Sequence, residues 1–236
     1  MPRFVQVAFD VPVDRQWSYS NPEGLNAPVG SRVEAPLGRR TAVGWVTGSS
    51  DAVDIDPSLV KPYLRLVDAE PLFGAGTLAL AEWLAGMYFC PLGEALSAMM
   101  PSAEREGRKK ASGGSATDAG SFDDVRIAAA PVMPSEEQKA ALAAILARKS
   151  GRWYLYGPTG TGKTEVFLEA AEATLAEGRG VIYLVPEIAL TRQVVEAVKG
   201  RFGDLCAVIH SGLTAPRKLA EWRRIQRGEA RVVVGA

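Results

Sequence analysis

Residues 157–164 read Gly-Pro-Thr-Gly-Thr-Gly-Lys-Thr, which fills every fixed position of the phosphate-binding loop G-x-x-x-x-G-K-[ST] and commits the surrounding chain to strand, tight turn and helix. The flanks agree with that demand. Upstream, Trp153-Tyr154-Leu155-Tyr156 is a short β-prone run, and downstream 165–177 is rich in Ala, Leu and Glu, as a helix would be. Within the loop, Gly157, Gly160 and Gly162, interleaved with Pro158, Thr159 and Thr161, let successive backbone N–H groups turn inward on phosphate. The following helix directs its positive end at the same charge. Lys163 is placed to reach the β and γ phosphates, Thr164 to give its hydroxyl to Mg²⁺, and Glu165 follows directly. A nucleoside triphosphate with Mg²⁺, ATP in the first instance, is the expected ligand.

Two readings of Gln138 stand side by side. Its amide, upstream of the loop, has the donor and acceptor needed to recognise an adenine edge. Ser135-x-x-Gln138 is also a capping box, in which that side chain bonds back to the helix N-cap.

With 236 residues and 47% hydrophobic content the chain can build one large or two ordinary globular domains. Lys plus Arg and Asp plus Glu both number 27, so no global positive field points to a polyanionic partner. Local charge is uneven. Arg217, Lys218, Arg223, Arg224, Arg227 and Arg231 bias the C-terminal stretch toward phosphate contact or a solvated helix face, whereas acidic residues outnumber basic ones in the first hundred. Cys90 and Cys206 lack the paired spacing of a zinc site and read as buried thiols. No stretch approaches the roughly 20 apolar residues of a membrane span, so no membrane partner and a reducing cytosol are expected.

A change of composition divides the chain. Residues 103–133 begin with a charged run and continue in Gly, Ser, Ala and Thr, the composition of a flexible linker. The expected domains are therefore 1–102, β-rich with terminal helices, and 134–236, α/β. In the first, strands are expected at 4–9, 32–37 and 42–46. Leu78, Ala81, Leu84 and Ala85 then share a helical face, and a second short helix near 94–100 completes a pair that caps the strands. In the second, helices are expected at 138–148 and 190–202, with later strands at 207–209 and 231–234. The apolar run 181–185, ended by Pro186, predicts a fully buried parallel strand.

The motifs taken together resemble the PriA family of bacterial replication-restart helicases, also called primosomal protein N′. The resemblance rests on the phosphate loop continued by Glu165-Val166-Phe167-Leu168, on Val185-Pro186-Glu187-Ile188-Ala189-Leu190-Thr191, similar to motif Ia, and on His210-Ser211-Gly212-Leu213, similar to motif Ib. In the first domain it rests on Arg15-Gln16-Trp17-Ser18-Tyr19, on Gly30-Ser31-Arg32-Val33 to Gly38, and on Tyr88-Phe89-Cys90-Pro91-Leu92-Gly93. It implies a 3′-end DNA-binding domain followed by a RecA-like helicase lobe with a parallel sheet. By position the family's pocket for a 3′-terminal nucleotide carries over to Trp17, Ser18, Gly38 and Lys61. Aromatic stacking, a phosphate-seeking lysine and a close backbone approach are reasonable chemistry for such a ligand. Trp17 can equally be a core aromatic. Ser18 stands where the family usually has Asp, so a neutral acceptor replaces a charged one. Motif resemblance adds Thr191, His210 and Ser211 as DNA-facing positions, with His210 in a structural strand-end role.

The resemblance implies an ATP-dependent 3′-to-5′ DNA helicase that assembles the primosome at stalled forks, working at the nucleoid with single-strand-binding and primosome proteins. Its DNA partner would be forked or single-stranded with a 3′ end. Complete members carry zinc, for which this chain has no ligands, and a winged helix for which 103–133 is too short. No apolar strand ending in Asp-Glu follows the loop in these residues, so ATP binding without efficient hydrolysis is expected of this chain alone. The alternatives are a non-catalytic module for fork DNA and nucleotide, and a P-loop NTPase that does not act on DNA.

Overall fold

Val5, Val7 and Phe9 recur at every second position of strand β1 (Phe4–Phe9) and lie in one core, while Phe4 and Ala8 on the other face are buried as well. A computed structural model describes residues 3–22, 25–101, 133–147, 150–186 and 192–235 of the chain. The linker expected at 103–133, apart from Met133, and motif Ia residues 187–191, including Thr191, lie outside the described residues. Two compact units emerge, Met1–Arg108 and Lys109–Ala236.

In the first unit β1 is joined by β2 (Gln16–Ser20), β3 (Arg32–Leu37), β4 (Arg40–Ser50) and β5 (Arg65–Leu66), in the antiparallel order β2-β1-β4-β3-β5. Its edges meet. Ser20 N–H donates to the Lys61 carbonyl at 3.0 Å and Tyr63 N–H to the Ser20 carbonyl at 3.4 Å, so the segment leading into β5 returns to β2. Closing the strands on themselves removes most of the exposed sheet edge. Inside lie Tyr19, Val33, Ala35, Val46 and Tyr63, and the Tyr19 hydroxyl donates to the Pro36 carbonyl at 2.6 Å. Gly38, at φ +62°, makes the tight β3–β4 turn that a residue with a Cβ would strain.

Helices α1 (Ala75–Tyr88) and α2 (Leu92–Met99) follow. Leu92, Ala95 and Leu96 bury one face of α2. Gly93 lies so close to β1 that a Cβ there would sit 1.8 Å from the Phe9 carbonyl oxygen. Along α1 only Ala81 is fully buried, and Leu78, Leu84 and Ala85 are partly covered on the expected face.

The second unit alternates helix and strand: α3 (Glu136–Leu146), α4 (Lys163–Ala176), β6 (Val181–Leu184), α5 (Arg192–Phe202), β7 (Cys206–Ile209), α6 (Ala215–Gln226) and β8 (Val232–Gly235). The three strands are parallel in the order β6-β8-β7, as expected for α/β connectivity. Leu168 and Ala171 of α4 and Val195, Val198 and Phe202 of α5 pack with Cys206, Val208, Val232 and Val234.

Three sequence expectations need correcting. The β-prone run 153–156 forms no strand: no described strand pairs with it, and Trp153, Tyr154 and Tyr156 are exposed. A strand exists only where a ladder satisfies its backbone, and aromatic propensity cannot supply one. Strand β6 is parallel but not fully buried, because it is hydrogen-bonded among the described strands only to β8; Val181 and Tyr183 face the core while Ile182 and Leu184 are 74% and 76% exposed. Cys90 is only partly buried, since it follows the left-handed residue Phe89 where α1 ends at the surface; Cys206 is buried, and both thiols are free.

Candidate nucleotide and DNA-end sites

The phosphate loop runs from Gly157 into the first turn of α4, with Gly162 as the N-cap at φ +74°. A Cβ on Gly162 would displace the flexible Gln138 amide, 2.3 Å away, and the positive φ is what requires glycine there. The lysine folds over its own loop: Lys163 Nζ donates to the Gly157 carbonyl at 2.7 Å and the Pro158 carbonyl at 2.6 Å. Thr161 Oγ1 donates to the Pro158 carbonyl at 2.9 Å. Thr159 and Gly160 form the exposed tip. Lys163 is thereby held beside the convergent backbone, within side-chain reach of an anion resting on it.

Gln138 makes both the cap and a loop contact. Its Oε1 accepts from Ser135 N–H at 2.7 Å, Ser135 Oγ accepts from Gln138 N–H at 3.3 Å, and its Nε2 donates to the Thr161 carbonyl at 2.9 Å. The capping box forms, and the same amide ties α3 to the phosphate loop. An adenine would have to meet a side chain already engaged at both ends.

Two residues that the motif does not name hold the loop's helix. Tyr183 of β6 lies beside the Thr164 side chain, and its ring stands edge-on to Phe167 of α4; burial raises its pKa. Arg201 near the end of α5 reaches Glu165 at 2.5 Å and both oxygens of Glu172 at 2.5 and 2.8 Å. Its hydrogen bond holds the Glu172 carboxyl below the ordinary value, and the guanidinium is pushed further up in turn, foremost by that bond. A tyrosine in an otherwise aliphatic strand was a signal for the first. Nothing local marked Arg201, whose partners are 29 and 36 residues away.

His210 ends β7: its Nδ1 accepts from Gly212 N–H at 3.2 Å, and Leu213 N–H donates to its carbonyl at 3.2 Å. The His210–Ser211–Gly212 turn thus lies at the carboxyl end of the parallel sheet, as do Pro186 after β6 and Gly235 ending β8. In open α/β sheets that end is where ligands bind.

In the first unit, Trp17 and Ser18 point to opposite faces of β2. Trp17 is half-buried against the core, its ring edge-on to Phe9 with centroids 5.4 Å apart, and it shares that core with Leu37 beside Gly38. Ser18 faces outward, opposite Gln6 of β1, and the two side chains hydrogen-bond at 3.1 and 3.3 Å. Lys61 enters the same edge through its carbonyl bond to Ser20 and leaves its side chain exposed. The Lys61 backbone thus joins the β2 edge at Ser20, two residues beyond Ser18. Trp17 belongs mainly to the interior and offers only its exposed part to a ligand, and nothing contacts the open side of Gly38.

Comparison with known proteins agrees with both halves. The 3′ DNA-binding domain of PriA matches residues 6–101, and the DEAD/DEAH box helicase domain matches 135–236. Among curated relatives, the replication restart protein PriA of Treponema pallidum is 44% identical over 243 residues, covering 100% of this chain and 36% of its own length. That of Haemophilus influenzae is 26% identical over 302 residues, covering 99% of this chain and 41% of itself. That of Bacillus subtilis is 56% identical over 82 residues, covering 35% of this chain and 10% of itself. The chain thus spans well under half the length of these relatives. With a 3′ DNA-binding domain and a helicase domain in the same order, and 44% identity to a curated member over its whole length, the chain belongs to the PriA family of replication restart proteins.

Proposed function

We propose that this chain is the end-sensing and ATP-binding part of a 3′-to-5′ DNA helicase that restarts replication at stalled forks. The observation that carries the proposal is the presence, in one chain, of a 3′ DNA-binding domain and a helicase domain with a complete phosphate loop. In this reading the loop backbone and the end of α4 receive the triphosphate, Lys163 swings from the Gly157 and Pro158 carbonyls onto the β and γ oxygens, and Gln138 is the candidate adenine contact. The Mg²⁺ held with ATP would neutralise charge on the transferred phosphoryl group. Thr164, beside Tyr183, supplies the hydroxyl that the loop pattern assigns to that ion.

Among the described residues, the acidic group next to the loop, Glu165, is engaged by Arg201. Its charge is covered by that pair, and in this reading the chain by itself binds ATP without efficient turnover. At the carboxyl end of the sheet, the His210–Ser211 turn faces one DNA strand in this reading, and motif resemblance assigns Thr191 to the same strand. In the first unit Trp17, Ser18, Gly38 and Lys61 receive the 3′ end of a nascent strand. Primosome and single-strand-binding proteins are the partners that such a role implies.

Equilibrium titrations of the chain with a fluorescent ATP analogue in Mg²⁺, and with a short fork bearing a 3′ end, test this. Lys163→Ala raises the nucleotide Kd at least tenfold and leaves fork affinity within twofold, while Trp17→Ala does the reverse. Nucleotide binding indifferent to Lys163→Ala, or fork binding indifferent to the presence of a 3′ end, overturns the proposal. A P-loop NTPase that does not act on DNA would bind no fork at all.

A further inference from the structure

The β2 edge carries a pair of side chains whose chemistry bears on which DNA ends it accepts. Ser18 lies opposite Gln6 in the β1–β2 register, and the Gln6 carboxamide both donates to and accepts from the Ser18 hydroxyl, at 3.1 and 3.3 Å. Gln6 is the one partly exposed residue in an otherwise buried strand. On its other side stands Gly48, which has no side chain to cover it. A shallow neutral notch results.

Backbone groups open onto the same place. Ser20 gives its N–H and C=O to the Lys61–Tyr63 segment rather than to β1. In an antiparallel pair the backbone direction repeats every second residue, so the N–H and C=O of Ser18 also turn away from β1, just beyond the point where the Lys61–Tyr63 bridge ends. The exposed Lys61 side chain leaves from that bridge.

A carboxylate only accepts hydrogen bonds, so a carboxylate in such a notch would take a terminal hydroxyl and repel a terminal phosphate. Serine and glutamine each donate and accept. Facing a 3′-OH, the pair offers Ser18 Oγ and Gln6 Oε1 as acceptors. Facing a 3′-phosphate, which carries about −1.5 to −2 charges at neutral pH, it offers the Ser18 O–H and N–H and the Gln6 Nε2–H₂ as donors. Rotation of one hydroxyl and one amide converts the first arrangement into the second.

We infer that the notch formed by Gln6 and Ser18 receives DNA 3′ ends whether they terminate in a hydroxyl or in a phosphate, with Gln6 as the residue that sets this tolerance. The inference rests on the end-binding reading proposed above. It extends the ligands of the first unit to 3′-phosphorylated ends, as left by nucleases or by strand damage.

Fluorescence anisotropy of the whole chain tests it with three forks of one sequence, whose nascent strand ends in a 3′-OH, ends in a 3′-phosphate, or is closed by a hairpin with no free end. The 3′-OH and 3′-phosphate forks are expected to bind within threefold of each other and at least tenfold more tightly than the closed fork. Ser18→Asp and Gln6→Glu are each expected to weaken the 3′-phosphate fork at least tenfold more than the 3′-OH fork. A tenfold or greater preference of the unaltered chain for 3′-OH over 3′-phosphate overturns the inference while leaving end binding intact, and needs no variant. Equal discrimination by the two acidic variants and the unaltered chain removes Gln6 and Ser18 from the notch and overturns it too. Closed-fork binding as tight as that of the open forks defeats the end-binding reading itself, and the inference with it.

Discussion

Arg201 satisfies two carboxylates of α4 at once, and both are partly exposed. Ion pairs in that setting contribute about 0.2–1 kcal/mol each, so Arg201→Met should lower stability by about 1 kcal/mol. The pH dependence identifies the cause. Because Arg201 holds the Glu172 carboxyl below its ordinary value of 4.5, its contribution is complete above that pH and disappears as pH falls through the lower folded value. Urea unfolding of the two proteins should therefore differ at pH 7 and converge as pH falls well below 4.5; a difference independent of pH would show that packing of the guanidinium, and not its charge, is what is lost. Glu165, two residues past Lys163, has its charge covered by the same guanidinium.

At the scale of elements, the first unit is pinned where β3 meets the chain leading out of its last helix. Arg32, 2% exposed, makes paired bonds to Asp68 at 2.6 and 2.8 Å, donates to the Pro101 carbonyl at 3.1 Å and lies over the Trp45 ring. Taking away one partner of a buried pair strands the other charge, at a cost of about 3–5 kcal/mol. Asp68→Ala should therefore destabilise the first unit by that amount in urea unfolding followed by tryptophan fluorescence. A loss under 1 kcal/mol would mean that water reaches Arg32. In the second unit the telling element is β6, where Ile182 and Leu184 stay at the surface beside a groove of about 540 Å³ lined by Phe167, Thr174, Tyr183 and Val185. Such an edge favours association with other strands.

For the whole molecule, each unit has its own core, one built on Val5, Val33 and Tyr63 and the other on Leu168, Val195 and Val234. Residues 1–101 expressed alone should unfold in a single cooperative transition and keep the 3′-end affinity of the whole chain. Residues 133–236 alone should bind the ATP analogue but self-associate and bind a hydrophobic dye through the β6 edge. Scattering and dye fluorescence measure the second expectation, and a monodisperse, dye-silent 133–236 would contradict it.

The sequence alone fixed what depends on local covalent pattern. Short runs of β-branched and apolar residues marked β1 and β3, glycine and lysine spacing marked the phosphate loop, and Ser135 with Gln138 announced a cap that forms; each signal acts within a few residues. What tertiary structure decided involved partners distant in sequence. Among the described residues, the 153–156 run has strand propensity but no ladder, β6 has the composition of a buried strand but a single neighbour, and Trp17 packs on the core with its ring edge-on to Phe9 of β1. Gln6 beside Ser18, Tyr183 beside Thr164 and Arg201 beside Glu165 are pairings across 12, 19 and 36 positions, made only when strands and helices pack, because long-range contact is set by chain topology and not by the residues' own preferences.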